Sequence, residues 1–212
     1  MTKVLIFVAA AALFIILISF TNLGGGGGGV SPAFNYGEKW EDLRFPIENL
    51  VKIGSKAPDE DPFRDDGAGS SGTYLYWFDK SKEEELFFVG QMPHSWLEGS
   101  SIKPHIHWTT DLNLVGNVVW GLECTKADVN SFFPLTTILT VVAGADGNSF
   151  KHFVHELPEI DMTGFGISSV LVCRVFRDGT DGADTYNNDA GLIEVDLHYL
   201  VDSIGSDEQF VK

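Results

Sequence analysis

From Gly72 to Asp202 the chain repeatedly alternates apolar and polar residues with a period of two, and turn-forming clusters break the alternation. Eight stretches read as strands: "GTYLYWFD", "EELFFVGQM", "SIKPHIHWTT", "GNVVWGLECTKA", "LTTILTVVAG", "FKHFVHEL", "SSVLVCRVFRD" and "GLIEVDLHYLVD". Between them lie "DDGAGSSG", "PHSWLEGS", "LNLVGN", "GADGNS" and "RDGTDGADTYNNDAG", rich in Gly, Asp, Asn and Ser. No sustained helical period follows residue 30. The pattern predicts an all-β chain folded as an antiparallel β-sandwich, jelly-roll-like.

Alternation also assigns faces, because neighbouring side chains of a strand point to opposite sides. In the last strand Ile193, Val195, Leu197, Tyr199 and Val201 fall on one side and Glu194, Asp196 and His198 on the other. Ile106 and Trp108 share the inner side of their strand, opposite His105 and His107. Val118, Trp120, Leu122 and Cys124 point inward, with Glu123 outward.

The first thirty residues obey a different rule. From Val4 to Phe20 only Ser19 is polar. As a helix rising about 1.5 Å per residue, this run approaches the thickness of a bilayer core. It is longer than the apolar region of a secretory signal and lacks a small-x-small exit, so an uncleaved anchor is the preferred reading. Lys3 ahead of the run and the acidic bulk behind it place the C-terminal domain outside. Gly24–Gly29 then form a flexible tether. The expected organisation is a transmembrane or assembly-core helix over residues 1–23, a glycine tether over 24–29, and a β-sandwich over 30–212. A lipid bilayer or a protein core would hold residues 4–20.

Charge removes one class of partner. The 212 residues carry 14 basic and 30 acidic groups, a formal net charge of −16. Such a surface repels nucleic acid, so none is expected as a partner. The two cysteines, Cys124 and Cys173, both fall in strands. Two buried thiols are the first reading and a cross-strand disulfide the second.

The chemistry-bearing stretch is "KPHIHW". Two histidines at i and i+2 on a strand point the same way, about 6.5–7 Å apart, and can reach one metal ion. A third ligand would come from Asp111, His198 or Glu123. The plainer reading sets His105 and His107 on a solvated or interface-facing strand, and it is preferred, so no metal, cofactor or catalytic residue is expected. The polar loop Asp178–Asp189 has acids at alternate positions without the order of a calcium loop and reads as a turn or contact loop. Tyr74, Tyr76, Trp77 and Trp96 are candidates for stacking against sugars.

Two resemblances bear on function. Gly99, His105, His107, Asp111 and Gly116 resemble a degenerate first cupin motif, with Asp in place of Glu and no second motif around His152, His155 or His198. "WEDLRFP", "FFVGQMPHSWLEGSSIKPHIHW", "GNVVWGLE", "IDMTGFGISSVLVCRVFRD", "DTYNNDAGLIEVDLHY" and "DSIGS" resemble a family of small virion-associated structural proteins of environmental bacteriophages, over residues 40–212. That resemblance implies a non-enzymatic structural protein of a virion or cell-surface assembly. Its partners would be further copies of itself, as a homo-oligomer, and other assembly proteins. The alternatives are a carbohydrate- or receptor-binding module and a cupin-like metalloenzyme using His105 and His107.

Overall fold

The computed structural model describes residues 39–212. The expected N-terminal helix and glycine tether lie outside the described residues, as does the start of the 30–212 domain. Among the described residues no helix is long and apolar enough to cross a membrane.

Among the described residues there are ten strands: β1 (Lys39–Pro46), β2 (Asp59–Arg64), β3 (Thr73–Phe78), β4 (Glu83–Gln91), β5 (Lys103–Thr109), β6 (Val115–Ala127), β7 (Thr137–Asp146), β8 (Phe153–Glu156), β9 (Val170–Asp178) and β10 (Ala190–Val201). The eight strands expected from alternation are β3 to β10. The sequence reading missed β1 and β2, because "KWEDLRFP" and "DEDPFR" bury little and so lack a clean alternation. All pairings are antiparallel. One sheet runs β2-β3-β10-β5-β8, with β1 beside β10 past the end of β3; the other runs β4-β9-β6-β7. From β3 to β10 the order β3-β10-β5-β8 over β4-β9-β6-β7 is the strand order of a jelly-roll sandwich.

The inner faces meet in one aromatic core. Trp108 of β5 meets Trp120 of β6 edge-on with ring centroids 6.2 Å apart, and Phe78 of β3 meets Trp120 at 5.1 Å. Trp96, Trp108 and Trp120 are fully buried. Each removes roughly 200 Å² from water, worth several kcal/mol at about 25 cal/mol per Å². Val118, Leu122 and Cys124 point into this core as their alternation requires.

Two expectations are corrected. In β10 the register shifts between Leu192 and Glu194, so Ile193 is a bulge residue. Leu192 is buried in its place, and Val195, Leu197, Tyr199 and Val201 follow on the core side. A bulge inserts one residue without interrupting the hydrophobic run, which hides it from pattern reading. Second, Cys124 and Cys173 are not free thiols: they are directly opposed on β6 and β9 and joined as a disulfide with a Cα–Cα distance of 4.2 Å.

The long loop after β9 is pinned from inside. Arg177 is fully buried and spends all five of its N–H donors. Two go to the Asp184 carboxylate (2.9 and 2.8 Å), and three to the carbonyls of Phe78, Asn188 and Tyr186 (2.8, 2.9 and 3.0 Å). Asp184 also accepts from the Val119 N–H at 3.0 Å. The neighbouring acids cap their own turns, Asp178 on Thr180 and Asp181 on Ala183. The loop is therefore a turn held to the sandwich, and its carboxylates have separate partners.

Candidate functional site

The outer face of the larger sheet carries a block of imidazoles and carboxylates, built by register. One row across β1, β10, β5 and β8 reads Arg44, Asp196, His105, Glu156. The row above reads Asp42, His198, Lys103, and the row below Pro46, Glu194, His107, Val154. Cross-strand neighbours on one face lie about 4.5–5.5 Å apart at Cβ, so these side chains must meet.

Asp196 is the hub. It is 3% exposed. Its Oδ2 faces His107 Nε2 at 3.1 Å and His198 Nε2 at 3.2 Å, and its Oδ1 faces His105 Nδ1 at 3.4 Å. His107 Nδ1 meets His152 Nε2 at 2.8 Å. His105 Nε2 faces Glu156 at 3.5 Å, and His198 Nε2 faces Asp42 at 3.0 Å. The rings of His105 and His198 lie 4.0 Å apart. Arg44 holds Glu194 through Nε and Nη2 at 3.2 and 2.7 Å.

These contacts separate the two histidines of "HIH" electrostatically. Burial, aided by the neighbouring His198, pushes the His105 pKa down against the pull of Asp196 and Glu156. The hydrogen bond to Asp196 raises His107 despite burial. Burial works to raise Asp196, but the His107 bond and three nearby imidazoles outweigh it and hold the carboxyl below its usual range.

Of the expected solvated or interface-facing strand, the solvated reading is corrected: the side chains of His105 and His107 are only 12% and 15% exposed. They are covered by the charged rows around them, not by solvent. They also belong to two different ligand groups, His105–Asp196–His198 and His107–Glu194–Asp196, which share only Asp196. Of the proposed third ligands, His198 is in the cluster. Asp111 is elsewhere and accepts from Asn188 at 2.8 Å, and Glu123 accepts from Arg174 at 2.7 Å on the other sheet. The two glycines of the cupin-like string have backbone roles. Gly99 sits at φ +75°, and a Cβ on Gly116 would lie 2.8 Å from the Tyr186 Cα. The residues missed were Glu194 and Asp196. Their shared face with His198 was legible; their pairing with β5 was not.

A second feature lies at the β2–β3 end of the same sheet, at the margin of its core-facing side. Tyr74 and Tyr76 follow the core-facing side of β3 that Phe78 shares, with Tyr76 packed against the core and Tyr74 beyond its edge, while Leu75 and Trp77 are buried on the opposite side, Trp77 against Phe63. With Ile47, Glu48, Glu60 and Thr73 the tyrosines line an open depression of about 340 Å³. Tyr74 is 43% exposed. The face of Tyr76 is covered by the Lys52 ammonium, 4.4 Å from the ring centre. Burial and the facing Glu60 and Glu48 carboxylates raise the Tyr76 pKa, which keeps its hydroxyl a hydrogen-bond donor. The other two aromatic candidates are structural. Trp77 donates to the Asp61 carbonyl, and Trp96 donates to Ser100 from full burial.

No protein-family model matches the chain. No curated relative matches it either. Among solved structures it is similar to a CBM35 module from Cellvibrio japonicus Abf62, with 8% identity, 81% of this chain and 99% of that chain covered, and a TM-score of 0.39. TmCBM27, a carbohydrate-binding module studied for specific mannan recognition, is 15% identical over 76% of this chain and 98% of its own, with a TM-score of 0.35. Latent PorU from Porphyromonas gingivalis is 9% identical over 83% of this chain and 14% of its own, also with a TM-score of 0.35. Likeness at this level carries no argument about function.

Proposed function

We propose that the domain is a non-catalytic carbohydrate-binding module whose binding surface is the depression around Tyr74. One observation carries this reading: an exposed aromatic ring stands at an open, shallow depression whose walls bear the Glu48 and Glu60 carboxylates. Among the described residues neither carboxylate has a hydrogen-bond or ion-pair partner. A sugar ring offers an apolar face to the tyrosine and hydroxyl groups to the carboxylates and the Tyr76 hydroxyl, and that division of labour suits both. The strongly acidic chain favours neutral or basic saccharides over acidic ones. Affinity electrophoresis of the full chain through neutral polysaccharides tests the proposal. Retardation by at least one polysaccharide, abolished in Tyr74→Ala, is expected. Unretarded migration through all of them, or equal retardation of the variant, overturns it.

A second reading is self-association in a virion or surface array, with the apolar run of residues 4–20 as the anchor. It is favoured by the segment between β6 and β7, where Phe132 and Leu135 are 97% and 94% exposed beside the unpaired edge of β7. The occupant would be a second copy of the chain, pairing edge to edge. Sedimentation of Phe132→Asp with Leu135→Asp checks this: a shift from oligomer to monomer supports it, and an unchanged state removes it.

A further inference from the structure

The block of imidazoles around Asp196 contains a mismatch. Asp196 is nearly inaccessible, yet its Oδ1 has no hydrogen-bond partner, and neither does the buried Nδ1 of His105 that it faces. Leaving a buried polar atom unpaired costs about 1–3 kcal/mol, and a charged one more. Two such atoms facing each other mark a place where something else belongs.

Their separation says what. The 3.4 Å between His105 Nδ1 and Asp196 Oδ1 exceeds the usual range of an N–H···O bond. It is close to the spacing of two donors on one tetrahedral ion: with bonds of about 2.0–2.2 Å, neighbouring ligands stand roughly 3.3–3.6 Å apart. His198 supplies a third donor. One ligand atom from each of His105, Asp196 and His198 lies within 4.8 Å of the others. Glu156 stands 3.5 Å from the opposite nitrogen of His105, so a second carboxylate is available to Nε2 when Nδ1 is turned to the ion. His107 donates to the other oxygen of Asp196, which His198 Nε2 also faces in the metal-free protein, and this leaves Oδ1 as the free ligand oxygen. Asp42 stands beside His198 at the rim.

We propose that His105, Asp196 and His198 bind a divalent transition-metal ion of the zinc class. Two imidazoles and one carboxylate suit such an ion, while calcium and magnesium prefer all-oxygen cages. The ion would tie β5 to β10 on the outer face, with Asp42 of β1 at its edge. This differs from a chelate built on His105 and His107 together, because His107 acts here on the carboxylate and not on the ion. The inference is independent of the glycan reading, since the tyrosine depression shares none of these residues.

The test uses the full chain, stripped with a chelator and dialysed. Zinc chloride is then titrated by calorimetry, and melting is followed with and without zinc. One equivalent of zinc bound per chain and a zinc-dependent rise in Tm are expected, and cobalt in its place should give a tetrahedral visible spectrum. His105→Ala and Asp196→Asn should each weaken zinc binding at least tenfold, while Asp111→Asn should leave it unchanged. Should Asp196→Asn fail to fold, His198→Gln, at the more exposed ligand, takes its place. The absence of a zinc-dependent Tm rise in the wild type, or wild-type affinity in His105→Ala, overturns the proposal.

Discussion

Arg177 and Asp196 are two buried charges in one small sandwich, and their surroundings treat them differently. Arg177 meets five acceptors with five donors, including a two-point contact with a fully buried carboxylate. Asp196 has partners on one oxygen only, and a buried imidazole nitrogen beside it is equally bare. A group that is completely paired has no capacity left for a ligand; its work is to hold the 178–190 loop against β3 and β6. A group left half-paired at the same depth keeps one oxygen without a partner. Pairing, more than burial, separates the structural charge from the candidate functional one.

The largest effect should come from breaking the satisfied side. Arg177→Met leaves Asp184 buried without its counter-charge and strands three carbonyls. Removing one partner of a buried pair costs about 3–5 kcal/mol. Denaturant unfolding should show a midpoint lowered to match. A loss below about 1 kcal/mol would mean that the loop relaxes and water replaces the guanidinium, and the contrast with Asp196 would fail.

A smaller loss is expected from the covalent link in the same sheet. Cys124→Ala with Cys173→Ala opens a bridge between residues 49 apart in sequence. Releasing a loop of that length costs about 2–4 kcal/mol, mainly through the unfolded chain. Because the link lies on β6 and β9, zinc binding by β5 and β10 should survive the change. Loss of zinc binding along with stability would show that the two sheets do not respond separately.

The sequence disclosed the architecture better than the site, for identifiable reasons. Strands β3 to β10 bury one face and so alternate. β1 and β2 lie at the margins of the larger sheet, with one buried residue, Phe45, between them, and so carry almost no periodic signal. "HIH" and "EVDLH" each showed polar residues on the outward face of a strand. That β5 and β10 are neighbours, in a register placing His105 against Asp196, is a property of topology that local pattern cannot supply. The disulfide was open for the same reason: its certainty needs the pairing of Cys124 with Cys173. The reading of His105 and His107 as solvated assumed that an outward face is a wet one. Here three rows of mostly charged side chains pack closely enough to cover their own centre.

The smallest effect should appear on the unsatisfied side, and it is the sharpest form of the comparison. His105→Leu, in chelator-treated protein, removes a ring whose Nδ1 has no partner and whose Nε2 reaches a half-exposed Glu156 only at 3.5 Å. Little pairing energy is therefore lost. What is lost is contact with the His198 ring, which leucine, of similar bulk, largely restores. Replacing an unpaired buried polar group by an apolar one of like size is close to neutral or stabilising, so the unfolding free energy should stay within about 1 kcal/mol of wild type. Zinc should then divide the two proteins, because an ion that binds only the folded state stabilises it by mass action. The wild type gains stability as zinc is added, and His105→Leu gains none. A metal-free loss above about 2 kcal/mol would place His105 with Arg177, as a residue the fold itself depends on.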